Sequence, residues 1–301
     1  MENEKKTDGA VQDGKPLSPA AVMRNRILPP EQITVVPTEI TEEPAYTPAS
    51  YADTVLGCAL DIGVGIQENG GEVARVEDTV TRICRAFGGE SVRVFAIPNM
   101  IQASLVMKDG TTAFSMRRIT SISNHLYRLQ CFNALSRELC AGRLSLADAP
   151  AAIAQAEEKR PFPDWLLLLG GALSAGAFAV FFGGNLLDGL AAFCVGVVMS
   201  LLDLIPHPHI HRMAHTMIES FVGGSLALLI CALFPTLQSD LVLIGTIMVP
   251  IPGLAFGNSL RDMISGNLIS GSLRLLEVLL LAGMIALGYG AAMMLFGGLG
   301  A

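Results

Sequence analysis

The chain has 301 residues, 51% of them hydrophobic and 16% charged, with a formal net charge of −7. Its charge is unevenly spread: 17 of the 20 Lys and Arg precede Trp165, and beyond it only Arg212, Arg261 and Arg274 are basic. So few charges cannot cover a soluble domain but are normal for helices in lipid, and the lack of a basic patch in either half excludes a nucleic-acid partner.

Residues 1–50 contain seven prolines, few aromatics and no sustained period, so they read as a disordered N-terminal tail. Met1 to Thr7 is too charged for a secretory signal and no apolar run follows, so the first span must direct insertion and the preceding domain stays cytoplasmic.

Residues 51–160 read as a cytoplasmic α/β domain, helices packed on a small antiparallel sheet. A first helix runs from Tyr51 to about Gln67. Val73, Val76, Val80, Ile83, Cys84 and Phe87 then recur at helical spacing up to Gly88-Gly89. Ser91 to Ile97, Met100 to Met107 and Thr111 to Arg118 alternate with period two and predict a three-stranded meander. Ser123 to Cys140 and Ser145 to Glu158 are helical, Ser145 and Asp148 forming a capping-box-like start. Glu72, Arg75, Glu77, Asp78 and Arg82 alternate in sign on one helix, the pattern of a solvated face. The six cysteines form no Cys-x-x-Cys pair and read as reduced thiols without a role. His125, the one histidine here, has neither a nucleophile elbow nor a catalytic Cys context beside it, which argues against a membrane-anchored enzyme.

Residues 161–301 form the transmembrane domain, a helical bundle of about five spans: Trp165 to Phe182, Leu186 to Leu204, Met213 to Phe234, Leu241 to about Gly257, and Leu268 to Phe296. Arg212, Arg261 and Arg274 fall in or beside alternate loops, while the connections near Asp188 and Asp240 carry no basic residue. The α/β domain is therefore expected inside and the C-terminus outside.

The fourth span meets Pro250-Ile251-Pro252-Gly253, which breaks a helix and leaves carbonyls of one half and amides of the next without partners. Such a break is either a packed kink or a transport site, with half-helix amides facing a carboxylate and Gly253 admitting close approach. Asn258, Arg261, Asp262 and Ser265 share one helical face directly afterwards. That face must meet a cavity, a partner or the cytoplasmic interface, unless the segment is an ordinary loop helix. Pro250, Pro252, Gly253, Asn258, Arg261 and Asp262 are the candidate substrate-binding residues.

These residues carry a resemblance. Pro250-Ile251-Pro252-Gly253, Asn258-Ser259-Leu260-Arg261-Asp262 and Gly266-Asn267-Leu268-Ile269-Ser270-Gly271 together resemble the threonine/serine exporter family. Glu72, Arg75 to Asp78 and Val94 to Pro98 look like the N-terminal half of that family. With about five spans rather than ten, the chain is similar to the larger subunit of the split two-component form. The resemblance implies a second, shorter membrane subunit and a bacterial cell-membrane antiport system exporting threonine and serine. In some split relatives it implies a small dicarboxylate such as succinate. A regulatory subunit whose partner forms the pore stays open, as does a homo-oligomer. No cofactor is implied.

Glu219 lies inside the third span and, with Asp262, is the candidate for proton coupling; a structural carboxylate is the alternative. Asp203 reads as interfacial. His207, His209 and His211 alternate, and His211 with His215 has i, i+4 spacing, so a metal site can be drawn; with no acidic or Cys ligand near in sequence, none is expected.

Overall fold

The computed structural model describes residues 47–158, 162–205 and 210–299. Most of the tail, and His207 and His209, lie outside the described residues. Helix α1 (Pro48–Glu68) opens where Thr47 accepts a hydrogen bond from the Ser50 amide, with Pro48 in the first turn. Helix α2 (Val73–Ala86) follows, stopping before Gly88, whose φ of +93° suits glycine. Strands β1 (Gly89–Ile97), β2 (Met100–Met107) and β3 (Thr112–Arg118) form the meander in the order β1-β2-β3. Ile97 pairs with Met100 and Val106 with Thr112. Alternation along β2 turns Ile101, Ala103, Leu105 and Met107 inward, where they meet Val55, Leu56, Ile62, Val76, Val80 and Ile83 from α1 and α2.

Helix α3 begins at Leu126 rather than at Ser123 and ends at Cys140; helix α4 (Ala149–Glu158) begins four residues after Ser145. The Ser145 hydroxyl still accepts from the Asp148 amide at 3.2 Å, so the capping pair closes the turn that leads into α4. Phe132 of α3 is fully buried against Gly65, where a Cβ would come within 2.3 Å of its ring. Burial pushes the thiols of Cys58 and Cys84 up to about 12, which makes them inert packing groups.

The bundle comprises α5 (Asp164–Phe181), α6 (Leu186–Leu204), α7 (Arg212–Leu233), α8 (Ser239–Ile247), α9 (Gly253–Ile264) and α10 (Leu268–Phe296), closed by a 3₁₀ turn at Gly297–Leu299. Small residues let these helices touch. A Cβ on Gly176 would sit 2.7 Å from the Gly189 carbonyl oxygen, one on Gly245 2.6 Å from that of Ala175, and one on Gly288 2.5 Å from that of Met217. Gly171 lies beside Ser200 and Gly176 beside Gly189, so α5 and α6 are antiparallel; Arg212 meets Glu277 and Gly224 meets Ala292, so α7 and α10 are parallel. The C-terminal end of α10 therefore lies at the end of the bundle away from Arg212.

Two expectations need correction. Leu241 to Gly257 is not one span: α8 has 9 residues, α9 has 12, and the chain between them is not helical. Two prolines two residues apart remove backbone donors and stop the α-helical ladder. Helix α8 packs with α5, α6 and α7, whereas α9 turns away to lie on α10. Five helices are long and apolar enough to cross a membrane, but the set is α1, α5, α6, α7 and α10. The apolar side of α1 is taken up by the α/β core, packed on α2, β2, β3, α3 and α4.

Candidate functional site

The polar residues after the break in the fourth span face the turn between α1 and α2. Gly70 has φ of +90°, a left-handed conformation that aims its carbonyl at α9, where Asn258 Nδ2 donates to it at 3.0 Å. Helix α2 has no side-chain cap of its own. Its Val73 amide instead points to Asp262 Oδ1 at 3.4 Å, placing an acid from α9 at a helix N-terminus, where the helix dipole favours negative charge. Arg261 pairs with Glu72, and Ser270 at the start of α10 donates to the Ala96 carbonyl at 2.9 Å.

A tight turn ending at Gly266, with φ of +93°, folds α10 back along α9. It brings Arg274 Nη1 to 3.6 Å from Asp262 Oδ2, with the two side chains 4% and 2% exposed. The same guanidinium reaches the Gly71 carbonyl at 3.4 and 3.5 Å. A second pair stands beside it: Arg212 Nη1 lies 3.4 Å from Glu277 Oε1 and 3.1 Å from the Ile122 carbonyl oxygen. Asn124, Ala255, Asn258, Arg212, Arg274 and Glu277 line a small pocket between these elements. Two guanidiniums and the Glu277 carboxylate line this pocket, with Asp262 buried beside Arg274 and outside the lining, so the charges of the junction nearly balance.

Of the residues singled out from sequence, Asn258, Arg261 and Asp262 thus converge on the junction. Ser265 caps the end of α9, and Pro250 and Pro252 flank the break, with Ala255 just beyond it in the pocket wall. Close approach at Gly253 finds no support: a Cβ there meets nothing within 4 Å and its φ is not positive. Glu219 lies elsewhere, on α7, 4% exposed, with no hydrogen-bond partner for Oε1 among the described residues. His215 and Asp203 stand next to it, their imidazole and carboxylate 3.9 Å apart. His211 caps α7, its Nδ1 accepting from the Met213 amide at 3.4 Å.

Arg212, Arg274, Glu277 and Asn124 were missed as site residues. Sequence carried a signal for two of them: Arg274 and Glu277 are charges at i, i+3 inside an apolar stretch, where ionisable groups are rare and functional.

Residues 58–296 match the profile of the family described as "ThrE: Putative threonine/serine exporter". The chain belongs to the threonine/serine exporter family. Two curated relatives carry the name "Probable succinate transporter subunit YjjP". The one from Klebsiella aerogenes is 25% identical over 233 residues, covering 76% of this chain and 89% of the relative. The one from Escherichia coli K12 is 23% identical over 223 residues, covering 71% and 84%. No solved structure matches. Membership in the threonine/serine exporter family makes the chain a multi-pass membrane protein of transport, and its relatives are named as subunits of transporters.

Proposed function

We propose that this chain is the larger subunit of a secondary exporter of small carboxylate-bearing metabolites, with threonine and serine as its substrates. It sits in a bacterial cell membrane with the α/β domain in the cytoplasm, works with a smaller membrane subunit and is driven by the proton gradient. The observation that carries the reading is the charge balance at the junction: Arg212 stands against Glu277 in the pocket wall, and Arg274 against Asp262, which is buried beside it.

An amino acid is a zwitterion, so it can enter an ion pair without leaving either partner uncompensated. Its carboxylate takes the guanidinium of Arg274, which offers five donors in a planar fork, and its ammonium takes a carboxylate, Asp262 or Glu277. A dicarboxylate would find two guanidiniums but would also face two carboxylates, and like charges in a poorly solvated site repel. The same pairing supplies a route to antiport. A carboxylate that holds the substrate ammonium cannot hold a proton at the same time, so outward substrate and inward proton exclude each other at one oxygen. Asn258 orients the ligand from α9, and the break at Pro250 and Pro252 lets α9 leave the bundle to reach the α/β domain.

The second reading, a dicarboxylate exporter, is favoured by the printed name of the two relatives. Cells loaded with a threonine-containing dipeptide separate the two. The exporter reading expects threonine to leave wild-type cells, to be retained without either subunit, and to be retained when an ionophore collapses the gradient. Unchanged threonine efflux without this chain, with loss of succinate efflux, would favour the second reading.

A further inference from the structure

Glu219 belongs to a second constellation that the substrate pocket does not use. We propose that Asp203, His215 and Glu219 form a binding site for a divalent first-row transition ion, of the Zn²⁺ or Mn²⁺ kind, that joins α6 to α7. His215 and Glu219 are one turn apart on α7, so both project from the same side of that helix. Asp203 comes from the last turn of α6, which runs antiparallel to it. One donor atom from each residue lies within 4.8 Å of the others. Donors on one such ion, at bond lengths of about 2.1 Å, stand roughly 3 to 4 Å apart, so rotamer adjustment is enough to close the site.

The second observation is Glu219 itself: its side chain is buried, and Oε1 has no hydrogen-bond partner among the described residues. A buried carboxylate oxygen without a donor is expensive, and a cation is one of the few ligands that satisfies it. The donor set selects the ion. Imidazole nitrogen is a poor ligand for Na⁺ or Mg²⁺, and Ca²⁺ asks for six to eight oxygens; one imidazole with two carboxylates suits Zn²⁺, Mn²⁺ or Fe²⁺. Two carboxylates also balance a charge of two. Asp203, with 57% of its side chain exposed, leaves one side open to water for the remaining coordination positions.

The site rests on its own residues and not on the identity of the exported molecule. Its test is direct metal binding to the purified full-length chain in detergent, stripped with chelator, titrated with Zn²⁺ by calorimetry and with Mn²⁺ by electron paramagnetic resonance. One equivalent is expected to bind. Loss of an outer-sphere partner alone weakens metal sites by about 10 to 100-fold, so Glu219→Gln, His215→Gln and Asp203→Asn should each weaken binding by at least about tenfold. A chain carrying His207→Gln, His209→Gln and His211→Gln together should bind as wild type does. Binding that survives Glu219→Gln but disappears with those three histidines would overturn the proposal, and so would no saturable binding of either ion at 1 mM. Should Glu219→Gln fail to fold, His215→Gln and Asp203→Asn decide the matter, since neither side chain is buried.

Discussion

Asp262 and Arg274 meet 3.6 Å apart on two helices joined by one tight turn, and both side chains are almost wholly shielded from water. A buried ion pair is weak support for stability as a pair, yet breaking it leaves an uncompensated charge, at a cost of about 3 to 5 kcal/mol. Arg274→Met should therefore destabilise the chain by roughly that amount. Arg274→Met with Asp262→Leu should recover most of the loss while transport stays absent. Thermal denaturation in detergent, read with export, checks both; a double variant no more stable than the single one would mean the pair holds the junction in some further way.

The turn at Gly70 makes a sharper backbone prediction. A Cβ there would sit 3.0 Å from Asn124 Oδ1 and 3.3 Å from the Ser123 carbonyl oxygen, at a φ of +90°. Side chains in left-handed backbone cost about 1 to 3 kcal/mol, so Gly70→Ala should lower stability by that much and impair export through Asn258 and Arg274. Gly253→Ala should change neither, since its Cβ enters open space. Equal effects at the two glycines would contradict this view of the junction.

How far the sequence revealed this arrangement depends on the range of the interaction. The meander, α2 and four of the five hydrophobic stretches are local patterns, set by period-two and helical spacing, and they lie within a few residues of where periodicity put them; the fourth stretch is instead split at Pro250 and Pro252. Ser123 to His125 read as helix because the following period extends back over them, but Ser123 donates from its amide and hydroxyl to the Glu68 carbonyl, a tertiary contact that holds them out. The polar face of Asn258, Arg261 and Asp262 was legible as a face that lipid cannot cover. Its partner was not, because Gly70, Glu72 and Val73 lie almost 190 residues earlier in the chain. Arg274 marked a loop in the charge pattern, whereas only the fold shows it turned inward onto Asp262. Asp203 joins His215 and Glu219 for the same reason: antiparallel helices bring together residues that no linear spacing relates.

Glu77 gives a pH prediction outside the membrane. Burial raises its carboxyl above the usual carboxylate range, and the hydrogen bond it accepts from the Ala96 amide at 3.0 Å opposes this only in part. Since the folded chain holds the proton more tightly than the unfolded chain does, the contribution of Glu77 is full below pH 4.5 and is lost as pH rises through its folded value. Glu77→Gln keeps the acceptor and drops the charge. Thermal melts from pH 4 to pH 7 should show the variant gaining on wild type as pH rises; a gap that is constant, or that narrows, would contradict the assignment.

The direction of the helices, taken with the proposed cytoplasmic placement of the α/β domain, gives a topology prediction. The α/β domain docks where α7, α9 and α10 carry Arg212, Asn258 and Ser270, and α10 ends at the opposite end of the bundle. A reporter active only in the cytoplasm should work at the N-terminus and be silent after Ala301, and activity at both ends would mean an even number of crossings.

The central claim, that the junction pocket takes a zwitterion, is tested most directly by counterflow of labelled threonine in vesicles containing this chain with its smaller partner subunit. The account predicts that unlabelled serine competes and succinate does not. It also predicts that Arg274→Gln and Asp262→Asn each weaken threonine affinity by about ten- to a hundredfold, the loss of one charge-assisted hydrogen bond worth roughly 1.5 to 3 kcal/mol. Competition by succinate as strong as that by serine, with Asp262→Asn strengthening it, would contradict the account and make the pocket a dicarboxylate site.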